Sequence, residues 1–141
     1  MDQELMDLFF RSMRQELVQY GFQELRTPDE VDEAMRDTSG TTLVFVNSMC
    51  GCAGGIARPA VGMALQHERR PDRLLTVFAS QDREATARMR GYFAEYPPSS
   101  PSMVLLKDGQ VVMMLERGDI ESRDAEAVRQ DLVRAFDAHC A

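Results

Sequence analysis

The amino-acid sequence predicts an α/β fold in which a four-stranded mixed central sheet is flanked by helices. Two runs of β-branched, aliphatic and aromatic residues, 41–46 and 73–79, are typical of strands buried on both faces. An Asp-Gly turn at 108–109 joins two more apolar runs, 102–106 and 110–115, and predicts an antiparallel hairpin. The predicted order is therefore βαβ, a crossover helix and ββα, with two extra helices in front.

The two leading helices form an N-terminal extension. Apolar and polar residues spaced three and four apart predict an amphipathic helix over 3–20, which Gly21 ends. Its inner stripe is Leu5, Leu8, Phe9, Ser12, Met13, Glu16, Leu17 and Tyr20. Thr27, followed by a proline and two acids, caps a second helix that runs to about Thr38. We expect residues 1–40 to pack on the core of a single domain that spans 1–141.

Three more helices are expected between and after the strands. The first begins near Cys50 and is expected to kink at Pro59, because proline removes a hydrogen bond from the helix interior. It resumes and ends near Glu68. The second covers Ser80–Ala94, and the last covers about Ser122–Ala138. Helices on both faces would then enclose the sheet.

Composition excludes several classes of partner. The chain has 16 basic and 23 acidic residues, a net charge of −7 and no basic cluster, so nucleic acids and anionic membranes are poor candidates. The first residues are acidic where a signal peptide is basic, and no apolar run approaches the length of a membrane span. We therefore expect a cytoplasmic protein. Its three cysteines, an odd number, argue against a structural disulfide framework.

The motif Cys50-Gly51-Cys52 is the strongest candidate site. Asn47 and Ser48 end the first buried strand and can cap the helix that follows, so both thiols fall at its first turn. Unpaired backbone amides and the positive end of the helix dipole stabilise a thiolate there. The carboxyl end of a central strand is also where open α/β sheets place their ligands.

The spacing of the two thiols adds a second prediction. Residues i and i+2 of a regular helix point in roughly opposite directions, so a Cys50–Cys52 disulfide should be strained. A strained, exposed disulfide is more easily reduced. Gly51 is the one residue that leaves the backbone free enough to form it.

Metal binding is the main alternative for the cysteines. Cys50, Cys52 and Cys140, with His139 or His67, would supply four soft ligands. However, Cys-x-Cys is not the usual zinc-knuckle spacing, and Cys140 comes from the end of a distant helix. We therefore expect no metal and no cofactor.

Other interpretations give these residues no catalytic role. In one interpretation, Cys50 and Cys52 are small buried apolar residues of the core. In another, the protein is a redox sensor that forms adducts at Cys50 without turnover. Cys140, one residue from the end, is expected to be an incidental thiol on a frayed terminus. Arg58 is about 12 Å along the helix from Cys50, so it either forms a structural salt bridge or contacts an anionic ligand.

The order of elements, with a cysteine motif after the first central strand and a proline just before the hairpin, resembles the thioredoxin-like fold. Two segments, 47–59 (Asn-Ser-Met-Cys-Gly-Cys-Ala-Gly-Gly-Ile-Ala-Arg-Pro) and 96–109 (Tyr-Pro-Pro-Ser-Ser-Pro-Ser-Met-Val-Leu-Leu-Lys-Asp-Gly), resemble the bacilliredoxins, small bacterial proteins with a Cys-Gly-Cys site. The thioredoxin Trp-Cys-x-x-Cys pattern is absent. The similarity covers nearly the whole chain.

The resemblance implies a thiol–disulfide oxidoreductase. It makes Cys50 the attacking thiol, Cys52 the resolving thiol, and Pro101 a cis proline beside them. Ser100 would then pair with the backbone of a docked substrate, with Gly51 also at the substrate-binding surface. The implied reaction removes bacillithiol, or a similar low molecular weight thiol, from mixed disulfides on cytosolic client proteins, with possible disulfide isomerase activity.

Overall fold

A five-stranded mixed sheet forms the centre of the computed structural model, which describes residues 2–141. The strands are β1 (Gln23–Glu24), β2 (Thr41–Asn47), β3 (Arg73–Phe78), β4 (Ser102–Lys107) and β5 (Gln110–Leu115). The helices are α1 (Gln3–Gln19), α2 (Pro28–Ala34), α3 (Arg58–Ala64), α4 (Arg83–Arg90), α5 (Arg117–Glu121) and α6 (Ala125–His139). No helix in 2–141 is long and apolar enough to cross a membrane.

Strand β2 lies in the middle of the sheet, whose order is β1-β3-β2-β4-β5. It runs parallel to β3, with Asn47 opposite Phe78, and antiparallel to β4, with Val46 opposite Ser102. All seven of its residues are buried, which is why its middle four, Leu43 to Val46, are apolar without alternation. The chain leaving β2 therefore emerges beside the first residues of β4.

The side chains of β2 alternate between two hydrophobic cores. Leu43 and Phe45 pack with residues of α1, α3 and α6 on one face of the sheet. Val44 and Val46 pack with residues of α2 and α4 on the other. The predicted arrangement of a mixed sheet between two layers of helices is confirmed.

The sheet has one strand more than the sequence predicted. β1 pairs in parallel with β3, with Gln23 opposite Leu75 and Glu24 opposite Thr76. A two-residue strand is too short to show an alternating pattern, so only its pairing with an existing edge defines it. The crossover rules still place β2, β3, β4 and β5 as expected.

The predicted inner stripe of α1 is only partly correct. The helix buries Phe10, Arg14 and Leu17, whereas Leu5, Leu8 and Phe9 are exposed. Spacings of three and four residues fit two neighbouring stripes of one helix, and packing against the sheet selects between them. Arg14 is buried because it forms an ion pair with Asp82 and lies over the ring of Phe78.

Four predicted helices are shorter or divided. The helix expected to run to about Thr38 is α2, which ends at Ala34. The helix after β2 begins as a π-helical turn, Ala53–Ala57, and continues as α3, which places the expected irregularity next to Pro59. The Arg58 N–H bonds the Ala53 carbonyl five residues earlier. The helix expected over 80–94 is α4 followed by a 3-10 turn, and the last predicted helix is preceded by a separate short helix, α5.

Candidate active site

Cys50 lies in a bend after β2, and Cys52 lies in the first turn of the helix that follows. The polar residues that end the strand fix this bend. The backbone N–H of Ser48 donates to Asn47 Oδ1 at 2.9 Å, and the N–H of Cys50 donates to Ser48 Oγ at 3.2 Å. Asn47 Nδ2 also donates to the Met13 carbonyl at 3.2 Å, which ties the bend to α1. Asn47 and Ser48 thus shape the cysteine loop, but the prediction that they cap the helix is wrong, because the helix start at Cys52 has no side-chain cap hydrogen bond.

A buried arginine, Arg58, supports the cysteine loop through hydrogen bonds. Arg58 Nη1 lies 2.9 Å from both Asn47 Oδ1 and the Ser48 carbonyl oxygen, and Nε lies 2.9 Å from Glu16 Oε1. A Cβ at Gly54 would lie only 3.0 Å from Nη2, so a residue without a side chain suits this position. Of the two roles predicted for Arg58, the structural salt bridge is the one observed.

The two thiols are in contact. Their Sγ atoms lie 2.8 Å apart, and both side chains are partly exposed. The prediction that these side chains point in opposite directions is wrong, because it assumes that both residues lie in a regular helix. Cys50 precedes the helix, so the backbone on its side of Gly51 is free to turn its sulfur toward Cys52.

The environments of the two thiols differ in their effect on ionisation. Burial raises the pKa of Cys50, but hydrogen bonds from Cys52, Ser48 and the backbone amides of Ala53 and Cys52 outweigh it, so the pKa lies below the ordinary cysteine value. Burial raises the pKa of Cys52, and the hydrogen bond to Cys50 and repulsion from its charge raise it further. Cys50 is therefore the thiol that ionises first, with Cys52 as its proton-bearing neighbour.

The Ser100–Pro101 peptide bond is cis, which confirms what the resemblance implied. The carbonyl of Ser99, one residue before this bond, is held by two donors. Arg90 Nη2 and Ser102 Oγ each lie 3.1 Å from its oxygen. The register of β2 and β4 brings this loop to the end of the strand that carries the cysteine motif.

Arg117 also belongs to this site, and the sequence prediction missed it. Its pKa is raised by the hydrogen bond to Glu121 and by the negative charge of Cys50 and Cys52. The guanidinium Nη1 lies 3.4 Å from the Ser100 carbonyl oxygen. The carboxylates at 116 and 119, which form a capping box, signal in sequence only that a helix begins at Arg117, not that this residue lies near the cysteine motif.

Cys140 lies far from the other two cysteines. It is buried at the end of α6, beside Thr41 at the opposite end of β2. Six residue steps along the strand separate these ends by about 20 Å. The expectation of a frayed terminus is wrong, and so is a metal site that joins Cys140 to Cys50 and Cys52. Among residues 2–141, no group of three or more His, Cys, Asp or Glu is arranged to hold a metal ion.

Comparison with known proteins agrees with this geometry. A family model described as disulphide isomerase matches residues 5–140. A bacilliredoxin of Geobacillus kaustophilus is 54% identical over 139 residues, which cover 98% of this chain and 96% of the relative. A second bacilliredoxin of that organism is 59% identical over 127 residues, covering 90% and 87%. The chain belongs to the bacilliredoxin family.

Solved structures support the same fold. Thioredoxin O2 from Arabidopsis thaliana has a TM-score of 0.60 at 13% identity, over 84% of this chain and 96% of that one. Fasciola hepatica thioredoxin has a TM-score of 0.55 at 20% identity, over 81% and 99%. The chain therefore has a thioredoxin fold, and it is a thiol–disulfide oxidoreductase of bacilliredoxin type.

Proposed function

We propose that the protein removes bacillithiol, or a similar low molecular weight thiol, from mixed disulfides on cytoplasmic proteins. The observation that supports this most directly is the opposite shift of two touching thiols, since the pKa is lowered at Cys50 and raised at Cys52. A site with one ionised sulfur and one protonated sulfur has a defined nucleophile. All three cysteines are free thiols, which suits a reducing compartment.

In the first step, the Cys50 thiolate attacks the low molecular weight thiol's sulfur in the mixed disulfide. A new disulfide forms between Cys50 and that thiol, the old disulfide bond breaks, and the client cysteine leaves as a thiolate. No redox cofactor takes part, because one disulfide is exchanged for another. The hydrogen bonds that lower the pKa of Cys50 raise the fraction of this thiol that is in the attacking thiolate form at a given pH.

Two routes then regenerate Cys50. A second low molecular weight thiolate attacks the bound thiol's sulfur, which frees the Cys50 thiolate and forms a symmetrical disulfide. Alternatively, Cys52 attacks Cys50 and expels the bound thiol, and two further low molecular weight thiolates then reduce the resulting Cys50–Cys52 disulfide by exchange and leave as their own disulfide. Once Cys50 is in an adduct, its negative charge no longer repels a thiolate at Cys52. The pKa of Cys52 should therefore fall at the stage where it is needed as a nucleophile.

The docking surface lies around the cis proline. We assign to the Ser100 backbone the pairing with an extended client segment, with Pro101 fixing its direction. Gly51 is exposed, and a Cβ there would meet no atom of the described residues within 4 Å. The space beside the thiols is thus open to a bulky client disulfide. The same access would allow disulfide isomerase activity on misoxidised clients.

A release assay tests the proposal. A client protein carrying a bacillithiol mixed disulfide is mixed with the reduced protein and excess free thiol, and client release is followed by mass spectrometry. Cys50→Ala should abolish release, whereas Cys52→Ala should keep part of it and accumulate the Cys50 adduct. Equal loss in both variants, or full activity in the first, would contradict the assignment of roles.

A further inference from the structure

The charged rim of the site is formed by one short helix. α5 packs against the π-helical turn that follows Cys52, and its first residue, Arg117, has a half-exposed side chain. Nε donates to Glu121 Oε2 at 2.9 Å, and Nη1 lies 3.4 Å from the Ser100 carbonyl. The guanidinium therefore lies beside the cis-proline loop, on a helix that packs against the turn after Cys52, and its side chain is half exposed.

The ion pair with Glu121 leaves this cation available to a ligand. Both side chains are about half exposed, and exposed pairs of this kind contribute little to stability because water competes for each charge. An incoming carboxylate can therefore exchange with Glu121 at small cost. A guanidinium offers a planar fork of N–H donors that matches a carboxylate in two hydrogen bonds.

We infer that Arg117 binds the carboxylate of an anionic low molecular weight thiol while its sulfur reacts with Cys50, and so selects anionic over neutral and cationic thiols. The inference rests on the proposed function and names the chemical class that this site accepts. The whole chain carries a net charge of −7, which by itself favours cationic reactants. Selection of anionic thiols would therefore require a local cation near Cys50, and Arg117 meets this requirement.

The exchange step can be isolated from turnover. The Cys50 thiolate attacks one sulfur of a symmetrical disulfide, the S–S bond breaks, one half stays on Cys50 and the other leaves as a thiolate. Three small disulfides of similar length differ in charge: dithiodiglycolate is anionic, bis(2-hydroxyethyl) disulfide is neutral and cystamine is cationic. Each is reacted with the full reduced protein, and Cys50 adducts are counted by mass spectrometry after an acid quench.

The expected result is a change in selectivity. Arg117→Gln should lower the ratio of the anionic to the neutral rate about tenfold, the factor expected for one lost charge-assisted hydrogen bond. Arg117→Lys should recover part of that ratio, since it restores the charge without the planar fork. Glu121→Gln should raise the ratio, because the competing carboxylate is gone. Using the ratio cancels any change in the thiolate fraction of Cys50.

A matched control removes a different exposed ion pair. Arg36 bonds Glu33 at 2.6 Å beside α2, which packs on the opposite face of the sheet, so Arg36→Gln should leave the selectivity ratio as in wild type. If Arg117→Gln lowers the rates of all three disulfides equally, or changes none, the inference is overturned. Failure of the proposed function is a separate result, in which wild type selects anionic disulfides in this assay but releases no client in the turnover assay.

Discussion

Replacing Arg58 by methionine removes a buried cation from beneath the cysteine loop, and the energetic cost follows from its contacts. The Ser48 carbonyl loses the donor that lies 2.9 Å away, while Asn47 Oδ1 keeps its bond from the Ser48 N–H. The Glu16 side chain is 30% exposed, so water can replace its lost partner. One unsatisfied buried acceptor and a broken, partly buried ion pair should together cost about 3 kcal/mol.

Urea denaturation measures this cost directly. Arg58→Met should lower the midpoint with little change in the slope m, which reports the surface exposed on unfolding. For a domain of 141 residues, a loss of about 3 kcal/mol corresponds to a fall in Tm of about 10 °C. The alkylation rate of Cys50 against pH gives a second readout, because the displaced Ser48 hydroxyl should stabilise the thiolate less.

Glu16→Gln is the matched control for the ion pair. It keeps an acceptor for Arg58 at a partly exposed position, so it should cost less than half as much as Arg58→Met. A loss below about 1 kcal/mol in Arg58→Met would refute the reasoning, since it would mean that the buried acceptors find other donors.

Two further predictions concern the cysteines. Ser48→Ala should raise the pKa of Cys50 toward the ordinary value, so that alkylation by iodoacetamide reaches half its maximal rate at higher pH; an unchanged profile would exclude the serine hydroxyl as a donor. Cys140 is buried and its pKa is raised by burial, so native alkylation at moderate pH should modify Cys50 but label Cys140 only after unfolding. Labelling of Cys140 as fast as Cys50 in the native protein would contradict its burial.

Local patterns predicted most of the fold correctly. The apolar runs of β2 and β3, the Asp-Gly hairpin between β4 and β5, and the capped start of α2 each depend on residues close in sequence. The predictions failed where two patterns are locally equivalent, as in the choice between two stripes of α1. They also missed β1, whose two residues are a strand only because β3 lies beside them.

The features of the candidate site were also predicted only where they depend on residues close in sequence. The motif at Cys50 and Cys52 was predicted because its chemistry follows from its place at a strand end. The contact between the two sulfurs was not predicted, because it depends on a bend that a regular helix does not contain. Arg117 comes from a distant part of the chain, and sequence periodicity carries no information about which loops meet at one edge of a sheet.

The sequence alone determined the four long strands β2 to β5, the order of the main helices around them and the position of the two reactive cysteines, because backbone preference and burial affect residue type and spacing locally. The tertiary structure alone decided which thiol ionises first, how Arg58 supports the loop, that Cys140 is buried and that Arg117 lies beside the cis-proline loop. These properties depend on distances between residues far apart in the chain, and only packing of the whole domain sets those distances.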